Sequence, residues 1–383
     1  MPPSPDVVVV GAGVFGAWTA YRLQRTGRSV MLLDAFGSGN SRASSGGESR
    51  IIRIGYGNKA IYSRWALESI EQWQVLFREA RLPLFAKTGV LFLGHRDDPL
   101  TDATIATLQQ LDATIELLGR NDLERRFPQF RLGSIVRGIL EPNSGVILAR
   151  RAVDTLVGRA IQLGVDYRLA AATQPAGNHR LVALALSDGT DVSAGAFVFA
   201  CGPWLAKLFP DLLAPVLHTS RQEVFFFGGE PGDRRFVAPT LPAWIDFRDG
   251  VYGLPDLEGR GVKIGLDTHG PPFDPDDGDR QPSATALLAA RRLAADLIPA
   301  LREAPLLDAR VCQYANTPNG DFLIDRHPGY DNVWLVGGGS GHGFKHGPAV
   351  GAYVTALMDG GSAEPQFELN AKRAERARAR EVF

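Results

Sequence analysis

The sequence predicts an α/β protein, α+β overall, in which one part has parallel strands and another has a mostly antiparallel sheet. Residues 6–34 follow the order strand, glycine turn, helix and strand, and residues 333–354 repeat the order strand, turn and helix. Residues 221–267 instead form short apolar runs separated by turn residues. A chain of 383 residues is too long for one ordinary hydrophobic core, so we expect two domains.

The first unit has the pattern of a buried parallel strand that leads into a phosphate-binding turn. Val7–Val10 is an apolar run, and Gly11, Gly13 and Gly16 follow it in G-x-G-x-x-G spacing. The apolar positions of a helix continue to about Gly27. In such a Rossmann-like unit Gly11 permits the tight turn, Gly13 lets the backbone approach a pyrophosphate, and Gly16 lets the helix pack closely on the strand.

A second strand, residues 30–33, ends at Asp34, eighteen residues after Gly16. A carboxylate at this distance accepts hydrogen bonds from a ribose, and the helix N-terminus attracts the diphosphate. The unit therefore predicts a dinucleotide site. It does not choose between FAD and NAD, but Asp34 argues against NADP because a carboxylate repels the 2′-phosphate.

The composition argues against several other classes of protein. The net charge is −1, which gives no reason to expect nucleic acid or an anionic membrane as a partner. No apolar run approaches the ~20 residues that span a bilayer, and the first residues, MPPSPD, lack the basic region of a signal peptide. Two cysteines, Cys201 and Cys312, make no disulfide framework. We expect a cytoplasmic protein.

The elements between the two glycine turns are predicted from apolar spacing and turn residues. Residues 35–50 form a loop rich in Gly and Ser, which either bonds a ligand or is a surface connection. The predicted helices, one of them with Asp98 as its N-cap, cover residues 60–79, 99–111, 120–126, 150–164 and 284–297. The predicted strands are a pair within 84–94, one within 165–171, a hairpin around 188–189, and strands at 196–200 and 333–336. Residues 271–282 are expected to be an acidic, Pro-rich loop, and residues 370–380 a solvated helix or tail.

The order of these elements predicts a discontinuous arrangement of domains. The cofactor domain would combine residues 1–80, 146–215 and 321–383. The substrate domain would be built from two insertions, residues 81–145 and 216–320.

The turn at residues 339–345, GSGHGFK, is the second candidate site. Its glycines and the helix that follows again offer backbone N–H groups to a ligand. Lys345 lies at the predicted start of this helix, where a cation opposes the helix dipole unless it has an anionic partner. The alternative is an ordinary tight turn between strand and helix. His342 and His346 lie four residues apart but have no acidic residue nearby, so no metal site is expected.

Other candidate residues also have an ordinary structural interpretation. Arg50 and Arg53 would share a face and bind a carboxylate if the segment were helical or turn-like, but the residues alone favour surface arginines. Lys263 points either into a cofactor cavity or, as the residues alone favour, to solvent at a sheet edge. Taken alone, Cys201 and Cys312 are typical of buried free cysteines.

Seven stretches of the sequence, taken in order, carry a family resemblance. They are GAGVFG, GESRIIRIGYG, KTGVLFLG, EPNSGV, ACGPW, VCQYANTPNGDFLIDRHP and GSGHGFK. With these stretches the chain resembles, nearly end to end, the monomeric sarcosine oxidase and N-methyl amino acid oxidase group of the D-amino-acid-oxidase-like FAD-dependent oxidoreductases. The resemblance implies a Rossmann-like FAD-binding domain, a mostly antiparallel substrate-binding domain, and oxidation of the CH–NH group of an amino acid with O2 as acceptor.

The resemblance also implies roles for individual residues. Cys312 matches the cysteine that binds the flavin covalently through sulfur, and Lys263 matches the lysine beside the flavin that promotes reaction with O2. Arg53 and Lys345 match the pair that holds the substrate carboxylate. The other matching positions are Tyr252 and Tyr314 in the substrate pocket, Gly11, Gly13, Val14, Phe15, Gly16 and Asp34 in the first motif, Ser44, Ser45 and Arg50 in the stretch around the cofactor, and Gly339, Gly341, Gly343, Phe344 and Lys345 in the second turn.

Two departures from the family pattern leave the substrate open. Asp267 stands where the sarcosine enzymes carry a pocket histidine, and Ser45-Gly46 replaces a stretch that bears histidine. A carboxylate in the pocket is able to contact the substrate amine directly. The expected reaction converts an N-methyl or cyclic amino acid to an imine and H2O2, in a protein that acts as a monomer. The alternatives are an amine dehydrogenase with another electron acceptor and a non-catalytic flavoprotein subunit.

Overall fold

The computed structural model describes residues 4–230 and 232–374. In chain order its strands are β1 (Val7–Val10), β2 (Val30–Asp34), β3 (Arg50–Ile52), β4 (Phe85–Ala86), β5 (Val90–His95), β6 (Glu116–Gly119), β7 (Ile135–Glu141), β8 (Gly145–Ile147), β9 (Asp166–Leu169), β10 (Ala183–Ala185), β11 (Asp191–Ser193), β12 (Ala196–Phe199), β13 (His218–Phe227), β14 (Ala243–Asp246), β15 (Val251–Leu254), β16 (Val262–Leu266), β17 (Leu306–Asn316), β18 (Leu323–Arg326) and β19 (Val333–Gly337). Its α-helices are α1 (Val14–Arg25), α2 (Ala60–Ala80), α3 (Pro99–Gln110), α4 (Arg120–Arg126), α5 (Ala149–Gln162), α6 (Leu205–Leu208), α7 (Pro210–Leu213), α8 (Ala284–Leu297), α9 (Gly347–Met358) and α10 (Leu369–Ala374).

The first sheet has the strand order β18-β19-β12-β1-β2-β9 and is parallel except for β18. The four valines of β1 are all buried because hydrophobic clusters cover both faces of the sheet. Val7 and Val9 pack into the cluster formed with α1, α2, α5 and α9, whereas Val8 and Val10 pack into the cluster on the opposite face. The predicted parallel unit is therefore confirmed.

The second sheet has the order β17-β13-β16-β15-β14-β5-β7-β6 and is antiparallel except where β14 pairs with β5. Helix α8 packs against β13 and β16 and contributes Ala290, Ala294 and Leu297 to its core. All strands of this sheet lie within residues 81–145 and 216–320. The domain boundaries themselves stay a prediction.

A short third sheet, in the order β3-β8-β4, corrects one expectation. Residues 84–94 do not form a strand pair with each other. Strand β4 pairs with β8, whereas β5 pairs with β7 and β14, and Gly89 with a φ of +71° lies between them. The same chain segment therefore leaves one sheet and enters another.

The remaining predicted elements are found close to their expected positions. The five predicted helices correspond to α2, α3, α4, α5 and α8 to within two residues at each end. Asp98 caps α3 by accepting a hydrogen bond from the N–H of Thr101 at 3.1 Å. The tail predicted at residues 370–380 is helical as far as Ala374, and its later part lies outside the described residues. Among the residues described, no helix is both long and apolar enough to cross a membrane.

Candidate active site

The first glycine turn joins β1 to α1 at the carboxyl edge of the first sheet. Gly11 has a φ of +102°, and a Cβ there would lie 2.5 Å from the carbonyl oxygen of Ala200, just beyond the adjacent β12. A Cβ on Gly16 would lie 1.8 Å from the carbonyl oxygen of Gly11. Only glycine allows α1 to start this close to the strand, and Gly13 is the N-cap residue. The backbone N–H groups at the start of the helix are thereby placed for an anion.

Asp34 lies at the end of β2 and faces this turn. Its Oδ2 accepts a hydrogen bond from the N–H of Ala12 at 2.7 Å, and its Oδ1 accepts one from the N–H of Phe36 at 2.8 Å. Burial raises the pKa of the Asp34 carboxyl, although these backbone donors favour the charged form. The carboxylate is fixed beside the glycine turn, where the sequence predicts a ribose.

Two adjoining cavities connect the turn to the second sheet. The first, of about 350 Å³, is lined by predicted cofactor residues, namely Gly11, Gly13, Val14, Phe15, Asp34, Ser44, Ser45, Arg50, Gly339, Gly341, Gly343 and Phe344. The second, of about 270 Å³, is lined by Arg50, Arg53, Tyr252, Lys263, Asp267, Cys312, Tyr314, Gly341, Phe344 and Lys345. Arg50, Tyr314, Gly341 and Phe344 line both. Gly16 is the one predicted site residue that lines neither, because it packs inside the turn.

Lys263 lies in the interior of the second sheet, so its interpretation as an exposed edge residue is wrong. Strand β16 is flanked by β13 and β15, and the lysine side chain is 3% exposed. Its Nζ donates to the carbonyl oxygen of Ser49 at 2.9 Å. Burial, followed by the charge of Arg50, lowers the pKa of Lys263 to about 7. A lysine with this pKa is able to change its charge near neutral pH.

Arg53 and Lys345 are also buried, at 4% and 5% exposure, which excludes the surface interpretation of Arg53. Arg50 belongs to strand β3 and Arg53 follows it, so the segment is not helical, yet both arginines line the second cavity. Lys345 lies in a short 3₁₀ turn, Phe344–His346, before α9 begins. Two buried cations in one wall favour an anion in this part of the cavity.

Cys312 lies on β17, and its sulfur faces the second cavity. Arg50 Nη2 lies 3.5 Å from the Cys312 sulfur and also donates to the carbonyl oxygen of Ser44 at 2.7 Å. Cys201 is separate, since its sulfur contacts the carbonyl oxygen of Val10 and lines the first cavity.

Tyr252, Tyr314 and Asp267 complete the wall of the second cavity. Burial raises the pKa of Tyr252 to about 12, while Arg50 acts in the opposite direction and Asp267 adds to the increase. The two tyrosines are joined by a hydrogen bond. A Cβ on Gly341 would lie 2.5 Å from the ring of Tyr314, so the second glycine turn packs directly against this wall.

Two buried residues that hold the site together were missed by the sequence interpretation. Glu141, at the end of β7, accepts hydrogen bonds from the N–H groups of Ile54 and Gly55 at 2.9 and 2.8 Å. This carboxylate fixes the chain directly after Arg53. Tyr56 contacts Lys345 through its hydroxyl at 2.7 Å. Both residues lie in the quoted stretches EPNSGV and GESRIIRIGYG, but nothing in their spacing singles them out.

Comparison with known proteins identifies the family. The model of the family described as DAO, FAD dependent oxidoreductase, matches residues 6–357. The chain belongs to the FAD dependent oxidoreductase family.

The most similar members of this family that we compared match along most of the chain. The peroxisomal sarcosine oxidase of Mus musculus is 32% identical over 362 residues, which cover 92% of this chain and 91% of that protein. The monomeric sarcosine oxidase of Bacillus sp. (strain B-0618) is 30% identical over 372 residues, which cover 95% and 94%. The crystal structure of L-proline dehydrogenase from P. horikoshii matches with a TM-score of 0.85 at 20% identity, covering 98% of this chain and 100% of that chain. At this identity the structure shows the fold alone.

The residues of the first cavity fit the FAD of this family. Gly13 and Gly339 both line it, and neither has a φ in the left-handed region. A Cβ on Gly13 would meet only Ser45 Oγ, at 3.3 Å, and one on Gly339 would meet nothing closer than 3.7 Å. Protein packing therefore does not require glycine at these positions, but a ligand lying against the backbone does. The buried hydroxyl of Ser44 lines the same cavity and has no partner among the described residues.

Proposed function

We propose that the protein is an FAD-dependent oxidase of a secondary amino acid, either N-methylated or cyclic. The observation that carries the proposal is the placement of two buried cations, Arg53 and Lys345, in one cavity with Lys263 and Cys312. The sarcosine oxidases at 30–32% identity support the amine oxidase chemistry. Their names do not choose the substrate of this chain.

The chemistry that bound FAD supplies is the two-electron oxidation of the C–N bond to an imine, after which water releases the amine and O2 takes up both electrons as H2O2. Arg53 and Lys345 hold the substrate carboxylate in a desolvated site, where charge-assisted hydrogen bonds are strong. The substrate nitrogen must be unprotonated when the C–H bond beside it breaks, and Asp267 in the cavity wall offers a carboxylate to this amine. Tyr252 and Tyr314 enclose the carbon skeleton.

Lys263 supplies the fixed positive charge for the reaction with O2. Reduction of O2 passes through an anion, and a preorganised cation in a dry site stabilises that charge. The hydrogen bond to Ser49 holds the Lys263 ammonium in place. A dehydrogenase that passes its electrons to another acceptor does not need this cation. Measurement of O2 uptake therefore distinguishes an oxidase from a dehydrogenase.

In this proposal the chain holds FAD both at its diphosphate and ribose and at its flavin ring. Gly11, Gly13 and the start of α1 would hold the diphosphate, and Asp34 would bind the ribose. Cys312 would tether the flavin ring covalently through its sulfur, beside Arg50. A monomeric state and a cytoplasmic location remain predictions of the sequence.

The test combines a spectrum with a substrate screen. The purified protein should be yellow, and anaerobic addition of the right N-methyl or cyclic amino acid should bleach the flavin, with peroxide released once air is admitted. A protein that oxidises no amine bearing a carboxylate would contradict the proposal. After acid precipitation the flavin should remain with the wild-type protein and be released from Cys312→Ser. Release of flavin from both proteins would contradict the covalent bond but not the proposed amine oxidase function.

A further inference from the structure

We propose that Tyr56 is a positioning residue that holds Arg53 and Lys345 in the arrangement that binds the substrate carboxylate. This inference rests on the proposed function, because it takes carboxylate binding to be the task of the two cations. Tyr56 is 1% exposed and touches both of them.

The ring of Tyr56 supports the guanidinium of Arg53. Arg53 Cζ lies 4.1 Å from the centroid of this ring, and the ring of Phe247 is 5.1 Å away. Arg53 Nη1 also donates to the carbonyl oxygen of Gly55. A cation–π contact is strongest where water is excluded, so the ring restricts the guanidinium without neutralising its charge.

The hydroxyl of Tyr56 fixes the ammonium of Lys345. Lys345 Nζ donates to Tyr56 Oη at 2.7 Å and to the carbonyl oxygen of His342 at 3.0 Å. Both of these partners are neutral, so these two hydrogen bonds orient the ammonium without neutralising its charge.

Two histidines fix the hydroxyl in turn. His342 Nε2 lies 3.0 Å from the carbonyl oxygen of Gly320, which only accepts, so Nε2 donates to it. Tyr56 Oη lies 3.4 Å from His342 Nδ1 and 2.8 Å from His346 Nε2. The hydroxyl accepts from Lys345, and its shorter hydrogen bond to a histidine is the one with His346.

His346 is suited to this task because it stays neutral. Burial, followed by the charge of Lys345, holds the pKa of His346 well below its ordinary value. A neutral imidazole forms its hydrogen bond with Tyr56 without adding a third positive charge. Tyr56 and His346 thus hold the Lys345 ammonium through neutral side chains.

The test compares two neighbouring tyrosines in the FAD-loaded protein. Tyr56→Phe keeps the ring beneath Arg53 and removes the hydroxyl that accepts from Lys345. Tyr62→Phe is the matched control, since its ring lies 5.3 Å from that of Tyr56 but its hydroxyl donates to Asp321. Calorimetric titration with acetate, which carries a carboxylate and no amine, measures the site directly.

We expect the dissociation constant of acetate to rise about tenfold or more in Tyr56→Phe and to change little in Tyr62→Phe. The KM for the amino acid should rise in parallel, with a smaller change in the limiting rate of anaerobic flavin reduction. Equal acetate affinity in Tyr56→Phe and wild type overturns the inference. Wild-type protein that binds no acetate instead contradicts the proposed function, and this inference with it.

A second variant tests the inference in case Tyr56→Phe does not fold. His346→Phe removes the ring nitrogen that is hydrogen-bonded to the Tyr56 hydroxyl and leaves Lys345 and Tyr56 in place. We expect acetate to bind about threefold to tenfold more weakly. If Tyr56→Phe is not recovered folded, unchanged acetate affinity in His346→Phe overturns the inference.

Discussion

The two glycine turns follow the same order of strand, turn and helix but serve the site through different atoms. Between β1 and α1, the first turn presents backbone, because α1 begins directly after Gly13. Between β19 and α9, a 3₁₀ turn of three buried residues, Phe344–His346, precedes the helix. The second turn therefore delivers side chains, Lys345 among them, to the second cavity.

This difference agrees with the ligands that we propose for the two turns. A diphosphate is recognised by N–H groups and a helix N-terminus, so side chains at the first turn would only obstruct it. A small carboxylate in a closed cavity needs charged side chains, which the second turn provides. The second turn is also more constrained, since Ser340 has a φ of +44° and its Oγ donates to the carbonyl oxygen of Gly338.

The largest expected effect tests the backbone role of the first turn. In Gly16→Ala the new Cβ would lie 1.8 Å from the carbonyl oxygen of Gly11, so α1 has to move away from β1. We expect protein without bound flavin and a melting temperature lower by about 5 °C or more. Absorption near 450 nm and a thermal melt are the measurements.

Gly339→Ala is the matched change in the second turn. Its Cβ would meet no atom closer than 3.7 Å, so the apoprotein should melt within ~2 °C of the wild type. Flavin affinity should still fall, because Gly339 lines the first cavity. Equal destabilisation by both alanines would show that the two turns do not differ as proposed.

The next largest effect separates the two half-reactions. Lys263→Met removes the buried cation and keeps a side chain of similar length, and reoxidation of the reduced flavin by O2 should slow about 10²- to 10³-fold. Anaerobic reduction by substrate should change far less. Stopped-flow measurement of both steps checks this, and an unchanged reaction with O2 would remove Lys263 from the mechanism.

A smaller effect is expected from the side chain of the second turn. Lys345→Met should raise the KM for the amino acid about 10- to 100-fold, because one of the two carboxylate partners is lost. The flavin content should stay normal, in contrast to Gly16→Ala. Lys87→Met, at an exposed position, is the control. Loss of flavin from Lys345→Met would mean that the second turn also anchors the cofactor through this side chain.

The same contrast explains how much was predictable from the sequence. The structure of the first turn was predicted correctly, because it depends on glycine spacing and on a strand of four valines, which are local features. For Lys263, by contrast, the local sequence favours an exposed lysine at a sheet edge. Its burial follows from the position of β16 between β13 and β15, which the sequence around Lys263 does not reveal.

Glu141 and Tyr56 illustrate the limit more clearly. Glu141 accepts hydrogen bonds from the N–H groups of Gly55 and Ile54, which precede it in the chain by 86 and 87 positions. The contacts of Tyr56 with Lys345 and His346 span almost 300 residues. No periodicity or motif reports such contacts. The family resemblance supplied Arg53, Lys345 and Cys312, but not the residues that hold them.

The pH dependence of the oxidative step sharpens the role of Lys263 further. Its pKa is lowered to about 7, first by burial and then by Arg50, so the ammonium is present below pH 7 and is lost as the pH rises. The rate of flavin reoxidation should therefore fall roughly tenfold between pH 6 and pH 8. Lys263→Met should show a flat profile over this range. A slope retained in the variant would assign the titration to another group.

The smallest expected effect returns to the first turn and the one side chain beside it. The two oxygens of Asp34 accept from the N–H groups of Ala12 and Phe36. An asparagine has one acceptor oxygen, so Asp34→Asn loses one of these hydrogen bonds and the charge offered to the ribose. In a Cys312→Ser background, where FAD dissociates freely, its dissociation constant should rise about threefold to tenfold. With saturating FAD the rate of anaerobic reduction should not change, because backbone atoms, rather than Asp34, position the diphosphate. A changed reduction rate would mean that this anchoring end of the site also sets the geometry of the chemistry.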